Sequence, residues 1–290
     1  REALHQASAA DVVVKASGVG AHDALLEAEV ADLGRKGCRT IFWDVDAPAT
    51  LRAMAQGGHR ELREALPRYD AVLTYGGGPR VVAEYTQRGA RSCTPVYNAL
   101  DPATHHAADP DPAYRGDLAF LGNRLPDREA RVKEFFLDVA RDMPERGFVL
   151  GGAGWEPHQM TPNVRYVGHV GTRAHNAFNS TPTAVLNVNR ASMAEYGHSP
   201  PTRIFEAAGA GACIITDAWP GVEEFFEPGR EILVAGSGEA VARLLRALDP
   251  AKARAIGAAA RRRALREHTY TQRALQVDAK LRALCQEVVA

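Results

Sequence analysis

The stretch "SPPTRIFEAAGAGACIITD" (199–217) sets one acid, Glu206, inside a small-residue helix that runs straight into an apolar strand. Pro200 and Pro201, beside Ser199, start the helix. Ile204, Phe205, Ala207 and Ala208 form its buried stripe, and Thr202, Arg203, Glu206 and Gly209 share the opposite face. Two chemistries fit that face. In one, Glu206 is a solvated partner of Arg203. In the other, the carboxylate accepts both hydroxyls of a ribose while Arg203 and the helix N-terminus face phosphates. Gly209 and Gly211 imply a close neighbour on this face, and the preceding strand "AVLNVNR" delivers the helix to a sheet's carboxyl edge. Both pull toward the second chemistry, while the pattern alone still fits the first.

A second candidate is "FWDVDAP" (42–48), where Asp44 and Asp46 end a strand. A DxD pair fits a metal–nucleotide site; alternatively one Asp caps the next helix and the other is solvated. Period-two alternation points both acids to one side of the strand. Three glycine turns follow strands: "YGGGP" (75–79), "LGNRLPD" (121–127) and "LGGAGWEP" (150–157). Glycine there lets backbone N–H groups approach a phosphate, yet ordinary strand-to-helix turns use it too, and none of the three is a GxGxxG or Walker loop. The 10 histidines form neither HxxxH nor HExxH, so no catalytic zinc pattern is present.

The elements that must position these residues alternate, short apolar runs with longer amphipathic stretches, as in a doubly wound α/β fold. Strands are expected at 11–17, 39–45, 70–76 and 93–98, with helices at 21–35, 49–66 and 79–88. The segment 98–117, with three prolines, reads as an interdomain linker. A second series follows, with strands near 117–121, 147–151, 164–167, 183–188, 212–216 and 231–234. Its helices are expected at 127–142, 173–179, 201–210 and 239–248, and 250–290 reads as two or three more. Two such sheets place a ligand cleft at their carboxyl ends.

The 290 residues suit two domains, with 46% apolar and 24% charged residues. Acids and bases balance at 35 each, which leaves no electrostatic case for nucleic acid or an anionic membrane. Cys38, Cys93, Cys213 and Cys285 match no metal spacing and read as reduced thiols of a cytoplasmic protein. No run of about 18 apolar residues and no signal-peptide pattern occurs. The opening "REALHQASAADVVV" reads as a helix tail already feeding a strand, so preceding residues are expected to be missing.

The segment "SPPTRIFEAAGAGACIITDAWPGVEEFFEPGREILVA" (199–235) resembles the nucleotide-sugar half of GT-B glycosyltransferases, and more narrowly the CgeB-like (spore-maturation-type) glycosyltransferase family. "FWDVDAPATLRAM", "RYDAVLTYGGGP", "DLAFLGNRLPDR", "LNVNRASM" and "EPGREILVA" fall in that family's order, and "AAARRRALREHTY" is similar to its terminal helix. The resemblance implies two facing Rossmann-like domains with a cleft between them. Residues 1–108 would be an acceptor domain, incomplete because the family's first βα units are absent; 109–268 would be the donor domain; and 269–290 a helix crossing back.

It further implies metal-independent transfer of a sugar from a nucleotide-diphosphate sugar to a hydroxyl-bearing acceptor, a small molecule, glycan or protein. No cofactor is implied beyond the donor, a UDP-sugar first and a dTDP- or GDP-sugar otherwise. The metal reading of Asp44 and Asp46 then falls away. Asp46 becomes the acceptor-side base, with Asp44, Tyr75, Gly76 and Gly77 as acceptor contacts. Glu206 matches the glutamate that grips the donor ribose, and Arg124 the basic residue that neutralises the leaving diphosphate. Gly168, His169 and Val170 match the loop that reads the nucleobase, and Gly122, Asn123, Gly152, Asn189, His198, Ser199, Thr202 and Arg203 complete the donor side. One position departs from the pattern. Where many retaining members carry Glu-x7-Glu, His198 stands in place of the earlier acid, which opens the stereochemical outcome. Two rivals share this fold: a nucleotide-sugar epimerase, and a non-catalytic sugar-nucleotide-binding or coat-assembly protein.

Overall fold

In the computed structural model, which describes residues 2–18, 20–34 and 37–286, all ten apolar runs are strands. They are β1 Val12–Ala16, β2 Arg39–Asp44, β3 Ala71–Thr74, β4 Cys93–Pro95, β5 Leu118–Leu121, β6 Phe148–Gly151, β7 Val164–Gly168, β8 Ala184–Asn187, β9 Ile214–Asp217 and β10 Leu233–Ala235. Every residue of β3, β6, β8 and β9 is buried. Such runs lack a polar face because helices cover both sides of a parallel sheet.

The chain divides into two compact units: residues 1–97, 196–199 and 273–290 in the first, 98–195 and 200–272 in the second. The first holds a four-stranded parallel sheet in the order β1-β2-β3-β4. Leu284 of the last helix, Tyr270–Gln286, packs with Ile41, Leu73 and Val96 of this unit. The expected end of that helix, 287–290, lies outside the described residues. The second unit holds a six-stranded parallel sheet in the order β10-β9-β8-β5-β6-β7. Phe120, Phe136, Phe148 and Trp155 build one side of its core, Phe136 meeting Phe148 edge-on at 5.5 Å.

Three expectations change. Residues 98–108 belong with the second unit: Leu100 N–H donates to the His268 carbonyl, Tyr270 N–H donates to the Leu100 carbonyl, and His106 N–H donates to Asn176 Oδ1. The proline-rich segment is therefore tied down by hydrogen bonds at Leu100 and His106. The expected helix 49–66 is two helices, Ala47–Ala55 and Arg60–Ala65, split at Gly57–Gly58. The helix expected at 127–142 carries a π-helical turn at Lys133–Leu137.

Candidate functional site

In the second unit the chain lays down β5, β6 and β7 in one direction, then returns to place β8, β9 and β10 on the other side of β5. The order reverses between β5 and β8. Loops leaving the carboxyl ends of those two strands diverge there, and open parallel sheets bind ligands in the crevice that results. The β5 loop carries Gly122, Asn123 and Arg124, and the β8 loop carries Asn189.

These loops are braced tightly. Gly152 has φ +121°, and a Cβ on it would lie 2.2 Å from the Gly122 carbonyl oxygen, so only glycine fits. Gly152 N–H donates to the Gly168 carbonyl at 2.7 Å, Asn123 Oδ1 accepts from Ala153 N–H at 2.9 Å, and Trp155 Nε1–H donates to the Gly122 carbonyl at 2.7 Å. Val170 is buried and His169 exposed at the end of β7. Asn189 is 1% exposed, and its backbone N–H donates to Asp217 Oδ1 at 3.1 Å. Both polar atoms of its side-chain amide are buried without a hydrogen-bond partner. A buried amide left unsatisfied is expensive and marks a place where a ligand's polar groups complete the set.

Glu206 lies on the helix Thr202–Gly209, half-buried. It lines a small cavity with Arg203, Asn179 and Asn187. Pro201 offers this helix no side-chain cap, so its first-turn amides keep their capacity to bind an anion. The Arg203 side chain makes no hydrogen bond among the described residues, and burial holds its guanidinium below the usual arginine range, Glu206 acting the other way. Arg128 shares that depression through burial and through the charge of Arg203; one of its Nη atoms donates to the Asn123 carbonyl at 2.6 Å, and its Nε is buried without a partner. Two guanidiniums thus repel each other beside the switch point. That arrangement suits a polyanion.

Gly209 answers the question that its face raised. A Cβ there would lie 2.4 Å from Leu100 Cδ1 and 2.7 Å from the His105 carbonyl oxygen, so the small residue admits the 100–105 loop.

The model of the glycosyl transferase-like family matches residues 128–279, more than half of the 290-residue chain. The chain belongs to this family. It is a glycosyltransferase, an enzyme that moves a sugar from a nucleotide-sugar donor. Solved structures place its fold as GT-B. Anabaena HepE, solved with UDP-glucose, superposes with TM-score 0.69 at 14% identity, covering 97% of this chain and 81% of that one. Sucrose-phosphate synthase from Thermosynechococcus elongatus gives 0.70 at 16%, covering 98% and 76%. The pneumococcal O-GlcNAc transferase GtfA, solved with UDP and GlcNAc, gives 0.61 at 13%, covering 98% and 59%. No curated protein matches the sequence.

Several expected site residues of the glycosyltransferase have other work. Arg124 is spoken for by two acids, at 2.9 Å from Glu129 and 2.8 Å from Glu156. Arg128, four residues on, stands with Arg203 instead. In the first unit Asp44 is fully buried and saturated: Oδ1 accepts from Ser17 Oγ, Asp46 N–H and Thr50 Oγ1, and Oδ2 accepts from the Tyr85 hydroxyl. It ties β1, β2 and the next helix together, so it is not an acceptor contact. Asp46 is half-exposed and does not cap that helix with its side chain. The shared side expected for the two acids fails because β2 ends at Asp44, and the Asx-type turn through Asp46 N–H breaks the alternation.

Tyr75 is half-exposed and meets Trp43 edge-on at 6.0 Å. His198 and Ser199, expected beside Glu206, group with the first unit. Gly77 N–H donates to the His198 carbonyl at 2.8 Å, and a Cβ on Gly78 would lie 2.6 Å from His198 Cβ. Gly76 abuts Ser199 Oγ in the same way. His198 itself holds φ +44°, a costly conformation for a residue with a Cβ. Thr202 opens the helix as expected. Among the described residues no helix is long and apolar enough to cross a membrane.

Proposed function

We propose that this glycosyltransferase uses a UDP-sugar, bound at the β5/β8 switch point of the second unit, and delivers the sugar to a hydroxyl-bearing acceptor without a metal ion. The observation that carries this is the pairing of two half-buried guanidiniums, Arg128 and Arg203, each without an ion pair to an acid among the described residues, with Glu206 on the helix of Arg203. The guanidiniums and the uncapped helix N-terminus at Thr202 would hold the diphosphate. Glu206 would accept both ribose hydroxyls, and Asn189 would satisfy its amide on the donor. Backbone groups of the 168–170 loop would meet the nucleobase. That HepE and GtfA were solved with UDP ligands supports the choice of nucleobase. The matching segments quoted above support the narrower CgeB-like assignment, and the four scattered cysteines, which match no metal spacing, support a cytoplasmic location.

Glu206→Ala is expected to raise the Kd for UDP about 10–100-fold, since hydrogen bonds to a charged group contribute roughly 1.5–3 kcal/mol. Titration calorimetry reads this directly, and an unchanged affinity would remove Glu206 from the donor site. Asp46, half-exposed beyond β2, is the carboxylate proposed to take the acceptor proton. Asp46→Asn should lower turnover with UDP affinity unchanged; full turnover in that variant rules out the base role. Product formed from donor alone, without acceptor, would instead indicate an epimerase.

A further inference from the structure

His105, His175 and Glu206 are far apart in sequence, yet each offers one ligand atom, all lying within 4.8 Å of one another. All three belong to the second unit. We infer that they form a zinc-class metal site that competes with the nucleotide sugar for Glu206, so that the metal inhibits transfer.

The geometry is that of a built site. His105 Nε2 lies 3.8 Å from Glu206 Oε1. Two metal bonds of about 2.1 Å at a tetrahedral angle separate their ligand atoms by about 3.4 Å, so little closure is needed. His175 Nε2 lies 3.2 Å from the Val170 carbonyl and, as the donor, leaves Nδ1 with its lone pair outward. That Nδ1 is buried and without a hydrogen-bond partner, as is His105 Nε2. A ring fixed by a backbone carbonyl on one nitrogen, its other nitrogen bare, is how metal-binding histidines are oriented. His105 is fixed from below as well: its N–H donates to the Asp101 carbonyl at 2.8 Å, and its own carbonyl rests on Gly209. The two rings lie 6.2 Å apart between centroids.

Two imidazoles and one carboxylate suit Zn²⁺ or Co²⁺ and leave a fourth position for water; Mg²⁺ needs an oxygen-rich octahedron this set does not supply. Arg203, on the same helix face as Glu206, opposes a cation and keeps the affinity modest. The inhibition follows from sharing: with one oxygen on zinc, the carboxylate no longer has both free to accept the two ribose hydroxyls. This second step rests on the donor role proposed above; the metal site does not.

The test is calorimetric titration of the full chain with Zn²⁺, repeated on His105→Gln and His175→Ala. One equivalent is expected to bind, and each variant should weaken binding by about tenfold or more. Co²⁺ in the same site should give the intense visible absorption of a four-coordinate centre, lost in His105→Gln. His105→Gln conserves volume and carries the test if His175→Ala does not fold. Zn²⁺ binding that is absent, or equal in wild type and His105→Gln, overturns the site. UDP affinity is then measured with and without Zn²⁺: weakening in the wild type only is expected. Zinc bound through both histidines while UDP affinity stays constant overturns the competition, and with it the donor role of Glu206.

Discussion

Replacing Arg203 by alanine is expected to lower the rate of sugar transfer about 10²–10³-fold, the effect of removing one preorganised donor from a developing negative charge. As the bond from sugar to diphosphate breaks, the leaving group gains charge, and in the metal-independent transfer proposed above the protein's own cations would meet it. Arg203 and Arg128 stand ready at the switch point, and burial depresses both guanidiniums before any ligand arrives. A half-buried cation without a hydrogen bond costs stability in the free protein. Arg203→Ala should therefore leave the ligand-free melting temperature unchanged or slightly raised while turnover collapses, the opposite movement marking a residue held for function. Arg203→Lys restores the charge without the planar fork and should recover only part of the rate. Arg124→Ala is the control. Its guanidinium already serves Glu129 and Glu156 at the surface, so turnover should change little. Rate constants at saturating donor and unfolding curves without ligand decide the matter. A variant that melts early in proportion to its lost rate would mean that Arg203 holds the fold, and the catalytic reading would fail.

The strands were legible because parallel strands are apolar at nearly every position, so β3, β6, β8 and β9 announce themselves without an alternating pattern. Glu206 was legible for a related reason: its helix has one buried stripe, which leaves the acid on the other face. What sequence could not supply is competition among side chains. Arg124 and Arg128 both follow β5 by a few residues, and only the positions of Glu129 and Glu156 decide which of them stays available. Likewise Asp44 and Asp46 look equivalent until Ser17, Thr50 and Tyr85 converge on the first and saturate it. His105 escaped notice because its segment reads as a linker. Hydrogen bonds at Leu100 and His106, formed with partners far along the chain, are what hold it against Gly209.

Asp217→Ala should destabilise the second unit by about 3 kcal/mol, the lower end of what breaking a buried ion pair costs. Asp217 is fully buried at the end of β9, with Arg131 2.6 Å from Oδ2 and Asn189 N–H and Thr216 Oγ1 donating to Oδ1. Its loss strands all three donors; Arg131 keeps 28% exposure and finds some water, which sets the lower estimate. The same residue gives the stability a pH dependence of definite sign. Burial raises the Asp217 carboxyl above the usual 3.8, against the opposing pull of Arg131. As pH rises above that ordinary value, the unfolded chain gives up this proton while the folded chain keeps it, so Asp217's contribution to stability falls through that window and is constant above it. Asp217→Asn cannot titrate. The stability of the wild type relative to Asp217→Asn should therefore be largest near pH 4 and shrink as pH climbs to the native value. Denaturation midpoints of both proteins across this range measure the difference. A gap that widens with pH would mean that the Arg131 charge outweighs burial, and Asp217 would then sit below its ordinary value.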